Sequence, residues 1–361
     1  MSRDDKAEGA AADRFMADIH DQPRAILAAF AALDVAHRRR LESLGAAIAD
    51  GRIRHVLLTG MGGSLHGAYG SWQRLAAALP VPVSLWDASE LIQQAPGLIR
   101  PDTLVIAISQ SGESIELQRL TQLPARPFAA IAITNGARNT LSAWADCAIA
   151  TRAGPEDAVS TKTYLAGLVA LHALECAVLG QGEGLGAAVE ALAQNVAASL
   201  ARLERLAPEV LAFLGHDHPL AFIGRGASYA SAGMAALMTA EAAKLTALAL
   251  TGGQFRHGPL ELVREGFRAV IFLGDGAGRA LNAVTAQDIA RFGGRCLVIA
   301  ADPPSGLAGP GIEVLEIPAA PPALLPVLEI VPLQLLMVPL ALARGVQPAQ
   351  FVNGTKVTLV E

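Results

Sequence analysis

Aromatic side chains are scarce in this sequence: Phe, Trp and Tyr make up 4% of its 361 residues, against 52% hydrophobic residues in all. A core without large rings has to be filled by Ala, Leu, Val and Ile, which suits layered helices and parallel strands. Charge is also thin, at 17%, and the net charge is −5 with lysines and arginines scattered along the chain. No basic field is available for nucleic acid, and that class of partner is excluded. Only three cysteines occur, Cys147, Cys176 and Cys296, far apart, in apolar segments and without CxxC spacing. They predict buried thiols, with no disulfide framework and no metal site. The opening residues are polar and acidic, unlike a signal peptide, and no apolar run reaches membrane-spanning length without interruption. A cytoplasmic protein with no membrane partner is expected.

What the sequence does contain is a distinctive stretch at Leu104 to Ser114, LVIAISQSGES. LVIAI is the continuous apolar run of a parallel strand buried on both faces, and Gly112 lets the chain turn into the periodic IELQRL that follows. Hydroxyls of Ser109, Ser111 and Ser114 thus meet backbone amides at a helix start, a combination able to hold an anion such as a phosphate without any lysine. A plain serine-rich helix cap reads the same way.

At this length two domains are expected. Residues 1–50 carry apolar positions at helical spacing, among them Ile26, Phe30, Leu33, Leu41 and Leu44, and predict a helical lead-in. HVLLT from His55, VPVSLWD, LVIAI and FAAIAIT then alternate with helical stretches. This is the rhythm of an α/β doubly wound parallel sheet flanked by helices, a three-layer, flavodoxin-like sandwich. A long block rich in Ala, Leu and Val from Val159 to Leu206 predicts helices and closes a first domain at 51–206. The second domain, 207–345, repeats the first, and 346–361 form a tail. Gly60, Gly62 and Ser64 in GMGGS match Gly224, Gly226 and Ser228 in GRGAS at an offset of 164, and VIFLGDGAG follows VIAISQSGE at 165. Two landmarks at one spacing indicate a duplicated domain. The copies differ where an anion would sit, because Gly274, Asp275 and Gly276 replace Ser109, Gln110 and Ser111. Phosphate binding is expected only in the first copy.

GMGGSLHG invites comparison with a dinucleotide fingerprint. The third glycine position holds Leu65, although Asp87 stands where a ribose ligand could, so an oxidoreductase survives only as a weak alternative.

The motifs in combination, GMGGS, ISQSGES, VSTKTYLAGL at Val159, GRGASY, GGQFRHGPLELV at Gly252 and the terminal NGTKVTLVE, give a chain that resembles the tandem sugar isomerase (SIS) family over residues 51–361. It is similar to the isomerase half of glutamine–fructose-6-phosphate aminotransferase. The resemblance implies two tandem SIS domains and a substrate held by Ser64, Ser109, Gln110, Ser111, Ser114 and Ser160, with the phosphate among the hydroxyls of the serine turn. It also implies Glu241 as the base that moves a carbon-bound proton, His257 as the acid/base for ring opening, and Lys356 as an amine near the sugar carbonyl. No cofactor and no metal are implied; the partners implied are a small-molecule sugar phosphate and a second copy of the chain, in a homodimer with shared active sites.

Each of those three residues has a plainer reading. Glu241 lies in an apolar helical segment and could face solvent, His257 could be a loop residue at a helix start, and Lys356 could be a solvated tail lysine. Together they match the needs of hydrogen transfer between C1 and C2 of a sugar: an opened ring, a base for the carbon proton, and a cation or imine. About fifty residues precede the first strand and residue 2 is Ser2, so the cysteine-dependent glutaminase of the aminotransferase is not expected, and Gln254 stands where that family has a glutamate. The expectation is therefore an enzyme acting on an amino-substituted hexose 6-phosphate, coupling ketose/aldose isomerisation to release of the amine. A plain phosphosugar isomerase and a non-catalytic sugar-phosphate sensor are the alternatives.

Overall fold

A computed structural model describes residues 3–359; Ser2 and the last two residues of the expected tail lie outside them. The lead-in is three helices, α1 (Arg3–His20), α2 (Gln22–Ala31) and α3 (Val35–Ala49). Asp34 starts the third by accepting the His37 backbone N–H at 2.9 Å, which satisfies an amide with no partner inside the helix. Then come β1 (His55–Gly60), α4 (Gly62–Ala78), β2 (Val83–Asp87), α5 (Ala88–Gln94), β3 (Thr103–Ile108), α6 (Ile115–Thr121), β4 (Ala129–Thr134), α7 (Thr140–Trp144) and β5 (Cys147–Ala150). The helices α8 (Lys162–Leu179) and α9 (Leu185–Leu214) follow, and the domain boundary expected at 206 lies inside the second of them.

The remainder is β6 (Leu220–Gly224), α10 (Tyr229–Ala243), β7 (Ala247–Thr251), α11 (Gly252–Arg256), β8 (Arg268–Phe272), α12 (Gly278–Arg291), β9 (Arg295–Ala300), β10 (Ile312–Glu316) and α13 (Leu325–Ala343). Both sheets are five-stranded and wholly parallel. The first has the order β2-β1-β3-β4-β5 and the second β10-β9-β8-β6-β7, which is the same order read from the other edge. This shared topology is the structural counterpart of the sequence repeat. In each sheet the order reverses beside the first strand, and ligands of such sheets bind outside the strand carboxyl ends at that point.

The chain forms two compact units that interleave in sequence. One contains residues 22–156, 162–193 and 353–361 and carries the first sheet; the other contains residues 1–21, 157–161 and 194–352 and carries the second. In the first-sheet unit β1, β3 and β4 are buried along their whole length, as continuous apolar runs require, and one core joins Leu57, Val105 and Ala107 to Leu117 and Leu141 of the helices. In the second-sheet unit Ile223, Ile271 and Val298 pack with Phe255 and Ile289.

Two helices, α8 and α13, are long and apolar enough to cross a membrane by composition. They are core helices instead, 78% and 83% buried within the protein. Each carries a buried carboxylate, Glu175 and Glu329, whose hydrogen bonds are made inside the protein. All three cysteines are buried and unpaired, as expected.

Candidate active site

The carboxyl ends of β1 and β3 lie side by side, with Gly60 opposite Ile108 in the ladder. A side chain at Gly60 would put its Cβ 2.8 Å from the Ile108 carbonyl oxygen and 3.2 Å from Ser64 Cβ. Only glycine lets the first turn of α4, with Ser64, come down against the end of β3. Ser64 is half-buried there and makes no side-chain hydrogen bond among the described residues.

The serine turn fills the space from β3 to α6. Ser109 Oγ accepts the Gly112 N–H at 3.1 Å, and Ser111 Oγ accepts the Glu113 N–H at 3.1 Å. Each hydroxyl oxygen thereby braces the turn while its own proton, given to no group among the described residues, remains available to an acceptor. Ser114 stands at the start of α6 with its Oγ buried and without a hydrogen-bond partner among the described residues. A buried hydroxyl normally finds a partner, so this orphan in a serine-lined turn is what an absent anion would leave behind. Gly112 has φ of +68°, and a Cβ there would fall 2.1 Å from Asn139 Oδ1. That asparagine is itself pinned, since its Oδ1 accepts the Ser142 N–H at 2.8 Å at the start of α7.

One carboxylate sits in the turn, and its charge is occupied elsewhere. Glu113 accepts the Thr140 backbone N–H at 2.7 Å and the Thr140 hydroxyl at 2.8 Å. These bonds, the backbone one first, hold its carboxyl below the usual range. Gln110 is half-buried, and its carbonyl accepts the Asn135 N–H at 2.9 Å. Asp87 is not a ribose ligand. Its Oδ1 accepts the Ser89 and Glu90 N–H groups at 2.9 and 3.3 Å and caps α5, which removes the observation that kept the dinucleotide reading open.

The end of the C-terminal tail, from residue 353, belongs to the same unit as the turn, whereas 346–352 belong to the other. The Thr358 carbonyl accepts the Ile115 N–H at 3.0 Å, at the first residue of α6. Two residues earlier Lys356 Nζ lies 2.7 Å from Glu156 Oε2. Glu156 is fully buried at its side chain and also accepts the Thr163 N–H at 3.2 Å and the Thr163 hydroxyl at 2.5 Å. Lys356 is thus not a solvated tail lysine. Its partner, 200 positions away, was not foreseen, because nothing in the local sequence marks Glu156. Lys162, buried at the start of α8, was also passed over, although VSTKTYL places it two residues from Ser160.

The remaining candidates lie in the second-sheet unit. Ser160 is half-buried in the segment 157–161. Glu241 is half-buried near the end of α10, where its carbonyl and that of Gln350 accept from Lys244 Nζ, the second at 2.6 Å. Burial holds the Lys244 ammonium below its usual range although Glu241 favours the charge. His257 is exposed, two residues after the buried Phe255. It follows the end of α11 and precedes a short 3-10 turn, Pro259–Leu262, so it does not open a helix as its sequence context suggested. The Gly252-Gly253 pair lies between two capping residues. Thr251 and Gln254 form a capping box around it, with Gln254 Oε1 accepting from Thr251 N at 3.2 Å, so the glycines are the first turn of a helix.

The family model described as the SIS domain matches residues 52–176 and 214–344, one segment over each sheet. The chain belongs to the SIS domain family. Among curated relatives, the glutamine–fructose-6-phosphate aminotransferase of Pseudomonas syringae pv. tomato is 30% identical over 95% of this chain, which covers 58% of that protein. The enzyme of the same name from Aeropyrum pernix is 32% identical over 95% of this chain and 57% of its own length. The chain therefore spans rather more than half the length of the curated relatives it matches. Among solved structures, the C-terminal domain of glucosamine-fructose-6-phosphate aminotransferase from Francisella tularensis superposes with a TM-score of 0.83 at 22% identity, covering 94% of this chain and 98% of that one. Glucosamine-6-phosphate deaminase from Thermotoga maritima gives 0.71 at 18% identity, covering 95% and 99%. These likenesses at low identity carry the fold, which is that of two tandem SIS domains.

Proposed function

We propose that this chain is a cytoplasmic enzyme that binds an amino-substituted hexose 6-phosphate at the serine turn and couples ketose/aldose isomerisation to release of the amine. The observation that carries the reading is the turn itself: two serine hydroxyls already accepting backbone N–H groups, and a third buried without a partner among the described residues, at the carboxyl edge of a doubly wound sheet. Ser64 and Gln110 line the same strand ends, and Ser160 holds the sugar. The resemblance to aminotransferases and a deaminase that act on C6-phosphorylated sugars supports the choice of substrate class.

In the proposed reaction His257 moves the ring-oxygen proton to open the sugar, and Glu241 carries the proton between C1 and C2. Lys356 supplies a cation to the developing negative charge, or an imine that acidifies the neighbouring carbon. Imine formation requires Lys356 to give up a proton, and Glu156 at 2.7 Å is the acceptor within reach. A second reading, isomerisation of a sugar phosphate without loss of an amine, is favoured by that same ion pair if it keeps Lys356 from the sugar.

The direct test is incubation with glucosamine 6-phosphate, galactosamine 6-phosphate and Amadori-type 6-phosphates, reading ammonia or free amino acid. Release of amine is expected. Solvent-proton exchange at C1 or C2 with no amine released would select the plain isomerase, and neither signal would leave a binding protein. Borohydride added during turnover should leave a sugar-derived mass on Lys356 if the imine forms.

We also propose that the active unit is a homodimer in which His257, exposed in each chain, serves the partner's site. Reassociating equal amounts of Glu241→Gln and His257→Ala chains would then restore about a quarter of wild-type activity, because a two-fold exchange gives mixed dimers one intact site. Verified subunit exchange with no recovery would contradict this arrangement.

A further inference from the structure

The helix α8 carries a second group of reactive side chains, in the first-sheet unit, that the proposed sugar chemistry does not use. His172, Glu175 and Cys176 lie one turn apart on it, so their side chains share a face. Cys176 Sγ is 3.7 Å from His172 Nε2 and 3.9 Å from Nδ1. The ring in turn lies 3.5 Å from Glu175 Oε2 through its Nδ1. Glu175 is buried and is held in place by a two-pronged ion pair, with Arg74 Nε donating at 2.7 Å and Nη2 at 2.8 Å. A guanidinium fork of this kind fixes the carboxylate, the carboxylate orients the imidazole, and the imidazole faces the sulfur.

Cys176 also borders open space. Cys176 lines a cavity of about 150 Å³ at the C-terminal end of α8, together with Leu33, Arg38, Glu42 and Gly180. A single water needs about 10–15 Å³ of such space, so a group of a few heavy atoms fits. Among the described residues neither other cysteine has its sulfur hydrogen-bonded to a histidine, although His37 bonds the Ala148 carbonyl next to Cys147. Cys147 provides a matched comparison because it is 7% exposed, as Cys176 is, and burial, the largest influence, pushes its thiol up. Cys296 is fully buried, and burial raises it further.

We propose that Cys176 is a modification site for small electrophiles and peroxides, its thiol paired with His172 and the pair held by Glu175 and Arg74. The charge balance around His172 agrees. Burial pulls its imidazolium down, but the Cys176 sulfur and then Glu175 outweigh burial and push it up to about 9. Burial likewise acts on Glu175, yet His172 and Arg74 hold that carboxyl below its usual range. The cluster is therefore built to carry a cation next to the sulfur, the setting in which thiols react as nucleophiles. Toward hydrogen peroxide the sulfur attacks one peroxide oxygen, so that an S–O bond forms as the O–O bond breaks. The sulfur is oxidised by two electrons to a sulfenic acid, and the departing hydroxide takes the imidazolium proton and leaves as water.

The test labels the whole native chain with limiting iodoacetamide at pH 6.5 and follows each cysteine by peptide mass spectrometry. Cys176 should react at least tenfold faster than Cys147. In His172→Gln, shown to be folded by its circular dichroism and melting curve, the Cys176 rate should fall at least fivefold while Cys147 is unchanged. Equal rates at Cys176 and Cys147 in the wild-type chain would overturn the proposal with no variant needed, as would an unchanged Cys176 rate in folded His172→Gln. Hydrogen peroxide followed by dimedone should leave its adduct on Cys176. Fast alkylation without a dimedone adduct would overturn the peroxide part and leave a site for carbon electrophiles.

Discussion

Ser64 and Ser228 hold the same place in two copies of one fold, 164 residues apart, and have opposite surroundings. Ser64 is half-buried at the end of β1 and donates to no group among the described residues. Ser228, 2% exposed, donates to Glu329 Oε1 at 2.7 Å, and Ser231 donates to Oε2 of the same carboxylate at 2.6 Å. The strand ends differ in the same sense. The first copy presents Ser109, Ser111 and the unpartnered Ser114, whereas the second presents Gly274 and Gly276 at φ of +69° and +62°, with the Asp275 carboxylate bonded to the Gly276 N–H at 2.6 Å. What both copies keep is steric. A Cβ at Gly224 would fall 2.4 Å from the Ser228 carbonyl oxygen, just as one at Gly60 would strike the end of β3. Duplication has preserved the backbone approach, while one copy leaves the Ser114 hydroxyl without a partner among the described residues and the other spends its serine hydroxyls on a carboxylate in its own core.

The sharpest way to break the comparison is through the chemistry assigned to the second-sheet unit. Glu241→Gln preserves size but cannot accept a carbon proton, so turnover should fall about a hundredfold or more with substrate binding retained. Steady-state kinetics beside a direct binding measurement separates the two, and unchanged turnover would remove Glu241 from the mechanism. Next in size is the contrast between turn glycines. Gly112→Ala meets both a left-handed φ and the pinned Asn139 at 2.1 Å, while Gly276→Ala meets a left-handed φ with nothing within 4 Å. The second should cost about 1–2 kcal/mol from backbone strain alone. The first should cost clearly more and weaken phosphosugar binding as well, as thermal melts and titrations of both variants would report.

The smallest effect expected is a pH dependence belonging to the second copy alone. Burial pushes the Glu329 carboxyl up to about 7 against an ordinary 4.5, partly offset by the bonds from Ser231 and Ser228. A group raised in the folded state binds more protons there than in the unfolded chain, so its contribution is fully present below about pH 4.5 and is lost as pH rises through about 7. Melts between pH 5 and 8 should show a downward slope that Glu329→Gln abolishes. Ser228→Ala removes one bond to that buried carboxylate and should cost roughly 1–3 kcal/mol of stability, leaving sugar binding unaltered.

Much of this architecture was legible because it follows from local pattern. LVIAI and FAAIAIT have the continuous apolar pattern of buried parallel strands, and the repeat offset carried over into an identical strand order. The serine turn was legible for the same reason, since Gly112 and three hydroxyls fall within six residues. What could not be read depends on contacts between distant positions: Lys356 with Glu156, and Ser228 with Glu329. No periodicity marks such pairs. The GGQFRHGP segment is a different case. Thr251 and Gln254 stand at capping-box spacing, and that signal marks the two glycines between them as the first turn of a helix. Glu113 was hidden among the serines, and its role in tying the turn to Thr140 appears only once α7 is in place.

Titration calorimetry with a hexose 6-phosphate tests the central claim, that the first copy holds the phosphate and the second does not, on three variants beside the wild type. Ser109→Ala and Ser111→Ala each remove a hydrogen bond to a charged group worth roughly 1.5–3 kcal/mol, so each should weaken binding about tenfold to a hundredfold. Ser228→Ala, the corresponding cut in the second copy, should bind as the wild type does. Equal affinity in all four proteins, or a loss confined to Ser228→Ala, would contradict the assignment of the phosphate to the turn between β3 and α6.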